Sequence, residues 1–212
     1  SLIKNLIITK TSKKKHPIIS IVTTFHEGKE FLNDFMENIT KQTIFDKCEL
    51  VIVDAASTGS EKKIINKYCQ TYKNIKHIRI EKKLLPSPCI NMAIKESSGK
   101  YLTYAFIDDH KNNDCIETLY NHINNNKANL VYGDVLQIAN KSEILDDSPK
   151  KLFEHSKLVF SKENMIKCLP GPMPLWDFQI HEKCGFFDSV NHNYADDWEM
   201  WLRSVDNGFT FE

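Results

Sequence analysis

The sequence predicts an open, mostly parallel α/β sheet with helices on both faces. Three observations predict it. Short β-branched runs alternate with amphipathic segments at helical spacing, and several of those runs are apolar on both faces, as strands covered on both sides must be. Two runs also end in acids, Asp54 and the pair Asp108-Asp109, at the strand ends where such sheets bind ligands.

Taken in order, a lysine-rich lead-in (residues 1–16) precedes Pro17, which opens a β-branched strand over 18–24 bounded by the turn-like His26-Glu27-Gly28. Phe31, Leu32, Phe35, Met36 and Ile39 recur at helical spacing, which makes 29–42 a helix with one face for the sheet. Residues 50–53 are apolar throughout and run into Asp54, a second strand that closes in the small-residue loop 55–59. A helix over 61–72 and a short strand over 75–80 follow. Ser87-Pro88 reads as the cap and first residue of a helix stopped by Gly99. The fourth strand is expected over 101–107, running directly into Asp108-Asp109-His110. A helix over 114–124 leads to a fifth strand over 130–135. Past residue 140 the rhythm breaks into a polar stretch, Asp146-Asp147-Ser148-Pro149, and a segment with Pro170, Pro172 and Pro174. Proline excludes a central strand there, so a surface loop is expected. A last helix begins near Ala195 and is closed by Asn207-Gly208.

Composition sets outer bounds. The 212 residues, 41% hydrophobic and 26% charged, suit one globular domain with a substantial core. Lys plus Arg (28) balances Asp plus Glu (28), so no net basic field holds nucleic acid, and an anionic ligand must be gripped locally. The six cysteines are scattered without a C-x-x-C pair, which reads as ordinary thiols in a reducing compartment. No apolar run approaches the ~20 residues of a membrane span, and no signal-peptide core is seen, so a cytoplasmic location is expected. The chain opens on Ser1 and stops in a strand-like run, which leads to the expectation of a fragment of a longer protein.

Three acidic features bear on chemistry: Asp54, Asp108-Asp109 and Asp196-Asp197. Mg²⁺ or Mn²⁺ takes one or two protein carboxylates and leaves its other positions to phosphate and water, so Asp108-Asp109 suits a metal-diphosphate site. A turn or helix cap accounts for the same two residues. Asp196-Asp197 complements a helix dipole as cheaply as it supplies a base, although Trp198, Met200, Trp201 and Leu202 would hold one of its carboxylates at a partly desolvated wall. Trp176 reads either as a core residue or as a flat face for a sugar ring.

In chain order, residues 17–58, the run from Gly99-Lys100-Tyr101 to Asp109, Val131-Tyr132-Gly133-Asp134, Pro174-Leu175-Trp176, residues 181–188 and Asp196-Asp197-Trp198-Glu199-Met200-Trp201-Leu202-Arg203 together resemble family 2 glycosyltransferases of the GT-A fold. The resemblance implies a Rossmann-like GT-A domain over 17–212, with a nucleotide half over about 17–136 and an acceptor half over 137–212. It implies that Thr23, Thr24, Phe25, His26 and Glu27 hold the nucleotide base and that Asp54 contacts base or ribose. It places Asp108 towards the ribose, Asp109 on the Mn²⁺ or Mg²⁺ that bridges the diphosphate, Asp197 as general base with Asp196 beside it, and Trp176 on the acceptor side. The activity implied is inverting transfer from a nucleotide-diphospho-sugar, expected to be a UDP-sugar, to a hydroxyl of a glycan, lipid-linked or protein acceptor.

Ala55 stands where members often carry a second acid, and Phe106 where many carry the first acid of the D-x-D element. These departures keep a second reading open, a non-catalytic nucleotide- or sugar-binding domain of a larger protein. A nucleotidyltransferase would show a Gly-rich basic loop after the first strand, and Phe25-His26-Glu27-Gly28 is not one.

Overall fold

The computed structural model describes residues 7–9, 16–138, 151–152 and 158–212. Its main sheet has seven strands: β1 (Ile7–Thr9), β2 (Ile19–Phe25), β3 (Cys48–Ala55), β4 (Ile75–Ile80), β5 (Tyr101–Tyr104), β6 (Leu130–Tyr132) and β9 (Pro174–Asp177), in spatial order β1-β4-β3-β2-β5-β9-β6. A separate two-stranded ribbon pairs β7 (Leu136–Gln137) with β8 (Lys151–Leu152). Strands β4, β3, β2 and β5 are parallel, so their carboxyl ends lie along one edge. β9 runs antiparallel between β5 and β6, and β1 antiparallel beside β4. The sheet is therefore mixed, and part of the expected lead-in is an edge strand.

Side-chain alternation sorts the core onto the two faces. Ile19, Ile21, Leu50 and Ile52 join α1 (Lys29–Thr40), α2 (Glu61–Thr71) and α4 (Cys115–Asn125) on one side. Val22, Val51, Val53 and Leu102 join α3 (Pro86–Lys95) and α7 (Asp196–Asp206) on the other. Gly99 permits the approach of the β5 lead-in to β2, since a Cβ there would sit 2.6 Å from the Ser20 backbone nitrogen. The six cysteines are all free thiols.

Four expectations are corrected. The proline-rich segment ends in a strand, because Pro174 is its first residue, where a missing N–H breaks no central pairing. Two neighbours are shorter than expected: β5 pairs with β9 as far as Thr103↔Leu175 and with β2 as far as Tyr104, and β6 stops at Tyr132↔Pro174. Residues 105–107 thus separate β5 from Asp108. Finally, α3 starts at Pro86 with Leu85 as its cap, which puts Ser87 inside the first turn. The stretch Asp146-Asp147-Ser148-Pro149 lies outside the described residues.

Two short helices, α5 (Gln179–Cys184) and α6 (Ser189–His192), connect β9 to α7. His181 on α5 is buried, accepts the Trp176 indole N–H at Nε2 (3.0 Å) and donates from Nδ1 to the Gly185 carbonyl (2.9 Å). Burial pushes its pKa from 6.5 down to about 4. The unfolded chain therefore binds a proton that the fold refuses. Stability from this group is complete above pH 6.5 and is lost as pH falls from there to about 4, by on the order of 3 kcal/mol. Urea midpoints at pH 7 and pH 4 should fall further for the wild type than for His181→Gln, which keeps an acceptor and a donor without the titration.

Candidate active site

The parallel edge carries the loops that follow β2, β3 and β5. The first two are stitched together: His26 Nδ1 meets the Ala55 carbonyl at 2.7 Å, the Glu27 N–H donates to Ser57 Oγ at 3.0 Å, and Glu27 Oε1 accepts from the Thr58 N–H (2.8 Å) and hydroxyl (2.9 Å). Those bonds from Thr58 hold the Glu27 carboxyl below its ordinary pKa. Glu27 and Ala56 both have left-handed backbone, φ 56° and 62°, a cost held in place by this network. A cavity of about 220 Å³ opens between the β2 and β5 loops, with Phe25, His26, Glu27, Phe31, Phe106 and Asp108 on its walls. Thr23 is buried within β2, and its hydroxyl has no partner among the described residues.

Asp54 is not the exposed acid expected from its position. It is 0% exposed, with Oδ1 accepting the Ser57 N–H at 2.9 Å and Oδ2 accepting from Arg79 Nη1 at 2.6 Å. Arg79 Nη2 also donates to the Ser57 carbonyl at 2.7 Å. Burial alone would raise the Asp54 pKa, but His77, Ser57 and Arg79 outweigh it and hold the group at about 2. Arg79→Met should cost about 3–5 kcal/mol in denaturant unfolding, because it strands a buried carboxylate. Adding Asp54→Asn should recover most of that loss; equal instability of the double variant would show that the pair is not what holds the loop.

After β5 the chain turns through a bond from the Asp109 N–H to the Phe106 carbonyl at 3.2 Å, which leaves Asp108 exposed at the cavity and Asp109 half-buried. Burial and the Asp108 charge both raise the Asp109 pKa. A cation bound there would relieve both effects, so the pair fits a divalent metal. Among the described residues no three or more His, Cys, Asp or Glu side chains gather as a metal cage. Lys111 follows, 2% exposed, its backbone clamped in both directions by Asn38 and its ammonium 2.8 Å from Met173 Sδ. Its charge opposes the rise at Asp109.

The acids of α7 separate. Asp196 is 6% exposed, and its Oδ2 has no hydrogen-bond partner among the described residues. Asp197 is half-buried; burial raises its pKa, against the pull of the Trp198 N–H on Oδ1 at 2.7 Å. Tyr104, the last residue of β5, is buried, and burial, then Asp197, Cys168 and Asp109, push its pKa well above the ordinary value. One side chain therefore feels the charges of both Asp109 and Asp197.

Trp176 is fully buried, in ring contact with Tyr104 and Trp201 at 5.3 Å each, and bonded to His181. It is a core residue and offers no face to a sugar. Arg203 pairs with Glu199 at 2.7 Å and reaches the Cys184 carbonyl. Sequence reasoning missed Arg79, Tyr104, Lys111 and Cys168. Only Tyr104 left a signal, its place within the apolar run that leads to the acids.

Residues 20–187 match the family described as Glycosyl transferase family 2. An uncharacterized glycosyltransferase of Methanocaldococcus jannaschii is 26% identical over 200 residues, 92% of this chain and 67% of that protein. TarS 1-349 of S. aureus superposes with a TM-score of 0.76 at 16% identity, over 91% of this chain and 56% of its own, and has also been solved with UDP and with UDP-GlcNAc. The mannosyltransferase PcManGT of Pyrobaculum calidifontis, in complex with GDP-Man and Mn²⁺, superposes at 0.70 and 15% identity, over 93% of this chain and 54% of its own. The chain thus spans little more than half the length of these solved structures, whose likeness establishes a GT-A fold. With four-fifths of its length inside the family match, the chain belongs to glycosyltransferase family 2.

Proposed function

We propose that this chain is a single catalytic domain over residues 17–212 that transfers a sugar from a nucleotide-diphospho-sugar to an acceptor hydroxyl, with inversion at the anomeric carbon. The observation that supports the reading is that the charges of Asp109 and Asp197 both act on Tyr104 at the end of β5. A candidate diphosphate site and a candidate base within electrostatic reach of one residue suit a single displacement. Asp197 takes the proton from the acceptor hydroxyl, and its raised pKa makes it a better base than an ordinary carboxylate. Asp108 holds the ribose from the cavity wall, Glu27 and the β2 loop frame the base, and Asp109 is the metal-facing carboxylate. Bound Mn²⁺ or Mg²⁺ supplies charge stabilisation for the departing diphosphate.

UDP is the proposed nucleotide, supported by the UDP and UDP-GlcNAc complexes of TarS. The acceptor is a glycan, lipid-linked or protein hydroxyl. Six free thiols fit a reducing, cytoplasmic compartment, and no helix among the described residues is long and apolar enough to cross a membrane. A thermal-shift panel of UDP-, GDP- and dTDP-sugars with Mn²⁺ should single out UDP-sugars, since a ligand of the folded state raises its melting point. Proton NMR of the product should show the anomer opposite to that of the donor. Retention, or a shift with GDP-sugars alone, would overturn the corresponding part of the reading.

One observation favours a second reading. Phe106 puts a ring on the cavity wall where many members carry an acid. A non-catalytic nucleotide-binding domain tolerates that loss more easily than an enzyme does, and it would bind donors without cleaving them.

A further inference from the structure

The segment before β9 is fastened to the candidate site at three points. The Trp198 indole N–H donates to the Met165 carbonyl at 2.8 Å, and the Tyr104 hydroxyl donates to the Gly171 carbonyl at 2.9 Å. Between those anchors the Cys168 thiol donates to Asp197 Oδ2 across 3.8 Å. The other oxygen, Oδ1, takes the Trp198 backbone N–H. The carboxylate is thus held from two parts of the fold, by the helix backbone on Oδ1 and by the anchored segment on Oδ2.

We propose that Cys168 is a positioning residue for Asp197, its S–H holding Oδ2 so that a free lone pair of that oxygen faces the acceptor hydroxyl. Burial and the Asp197 charge push the Cys168 pKa up to about 12, so the sulfur keeps its proton throughout the neutral range and acts as a donor rather than as a nucleophile. A thiol is a weak donor, which suits the task. It gives the carboxylate a direction and takes little of its basicity, whereas a strong donor would lower the pKa that makes Asp197 useful. The charged and titratable groups about Asp197 are Asp196 on its own helix, Cys168 on the anchored segment and Tyr104 at the end of β5, with Asp109 acting on Tyr104 from the next loop. Of these, Cys168 is the one whose side chain donates to Asp197.

The inference rests on the reading of Asp197 as the base, and its test separates the two. Initial rates against pH are measured with a UDP-sugar donor and Mn²⁺ for wild type, Cys168→Ala, Cys168→Ser and Asp197→Asn, alongside UDP affinity and melting temperature. Cys168→Ala should lower kcat about three- to tenfold and move the acid limb of the kcat profile to higher pH, with donor KM and UDP affinity unchanged. Cys168→Ser, which keeps a donor, should restore part of kcat and return the limb towards wild type. A wild-type kcat and acid limb in Cys168→Ala, or equal losses in kcat and UDP affinity, would overturn the positioning role while an inactive Asp197→Asn still upheld the base. Full activity in Asp197→Asn would instead remove the base assignment, and the role of Cys168 with it.

Discussion

Asp197→Asn should reduce sugar transfer by a factor of about 10²–10⁴ while UDP binds as tightly as before. The amide keeps the size of the side chain and an oxygen for the Trp198 N–H, so the start of α7 stays in place. What it loses is the lone pair that accepts the proton. The fold itself should not suffer. Burial raises the Asp197 pKa, so the ionised carboxylate at neutral pH is held in the folded state against its preference for water. Removing that charge leaves the melting temperature equal or higher. In the wild type, kcat should fall as pH drops through the raised pKa, since only the ionised form accepts a proton. Parallel losses of turnover and UDP affinity would show that Asp197 holds the donor.

Asp109→Asn should act on a different observable. Burial and the Asp108 charge both disfavour its ionised form, a strain that a bound cation relieves and a neutral amide abolishes. The variant should fold at least as stably as the wild type and lose the part of UDP affinity that depends on Mn²⁺, by about 10- to 100-fold in titration calorimetry. Affinity in the presence of a chelator should be the same for the two proteins. Asp108→Asn should keep the Mn²⁺ dependence and weaken UDP with or without metal. If Asp109→Asn retained its full response to Mn²⁺, the metal-facing carboxylate would have to be Asp108.

Much of this arrangement is legible in the sequence because local rules govern it. Strand β3 carries the apolar run Leu50–Val53, β4 repeats isoleucine at Ile75, Ile78 and Ile80, and α7 is bracketed by acids at its start and Asn207-Gly208 at its end, so propensity, pattern and caps agree. The placement of Asp108-Asp109 after a strand on the parallel edge follows from the same rules. What escapes them is pairing across the chain. Asp54 reads as an exposed strand-end acid until Arg79, 25 positions away, is seen to satisfy it in the core. Cys168 and Asp197 are 29 positions apart, and neither predicts the other. Lys111 sits in a polar run that reads as solvated, yet Asn38, 73 positions earlier, pulls its backbone inward. β9 escapes for another reason: proline breaks a strand interior, but at Pro174 it begins the strand.

Trp176 shows how far composition misleads about a site. An aromatic residue beside a proline-rich segment invites a stacking role, but the antiparallel insertion of β9 between β5 and β6 turns it into the hinge of an aromatic cluster with Tyr104 and Trp201. Trp176 therefore supplies packing, and Asp196, Asp197 and the anchored segment around Cys168 are the groups proposed for the acceptor side.

The most direct test of the account is release of nucleoside diphosphate from a UDP-sugar by the purified protein with Mn²⁺, compared between wild type and Asp197→Asn. The account predicts steady release by the wild type, stimulated by acceptor and abolished by a chelator, and background release by the variant at equal UDP occupancy. Binding of the donor without release by either protein would contradict it and identify the domain as a nucleotide-sugar-binding module.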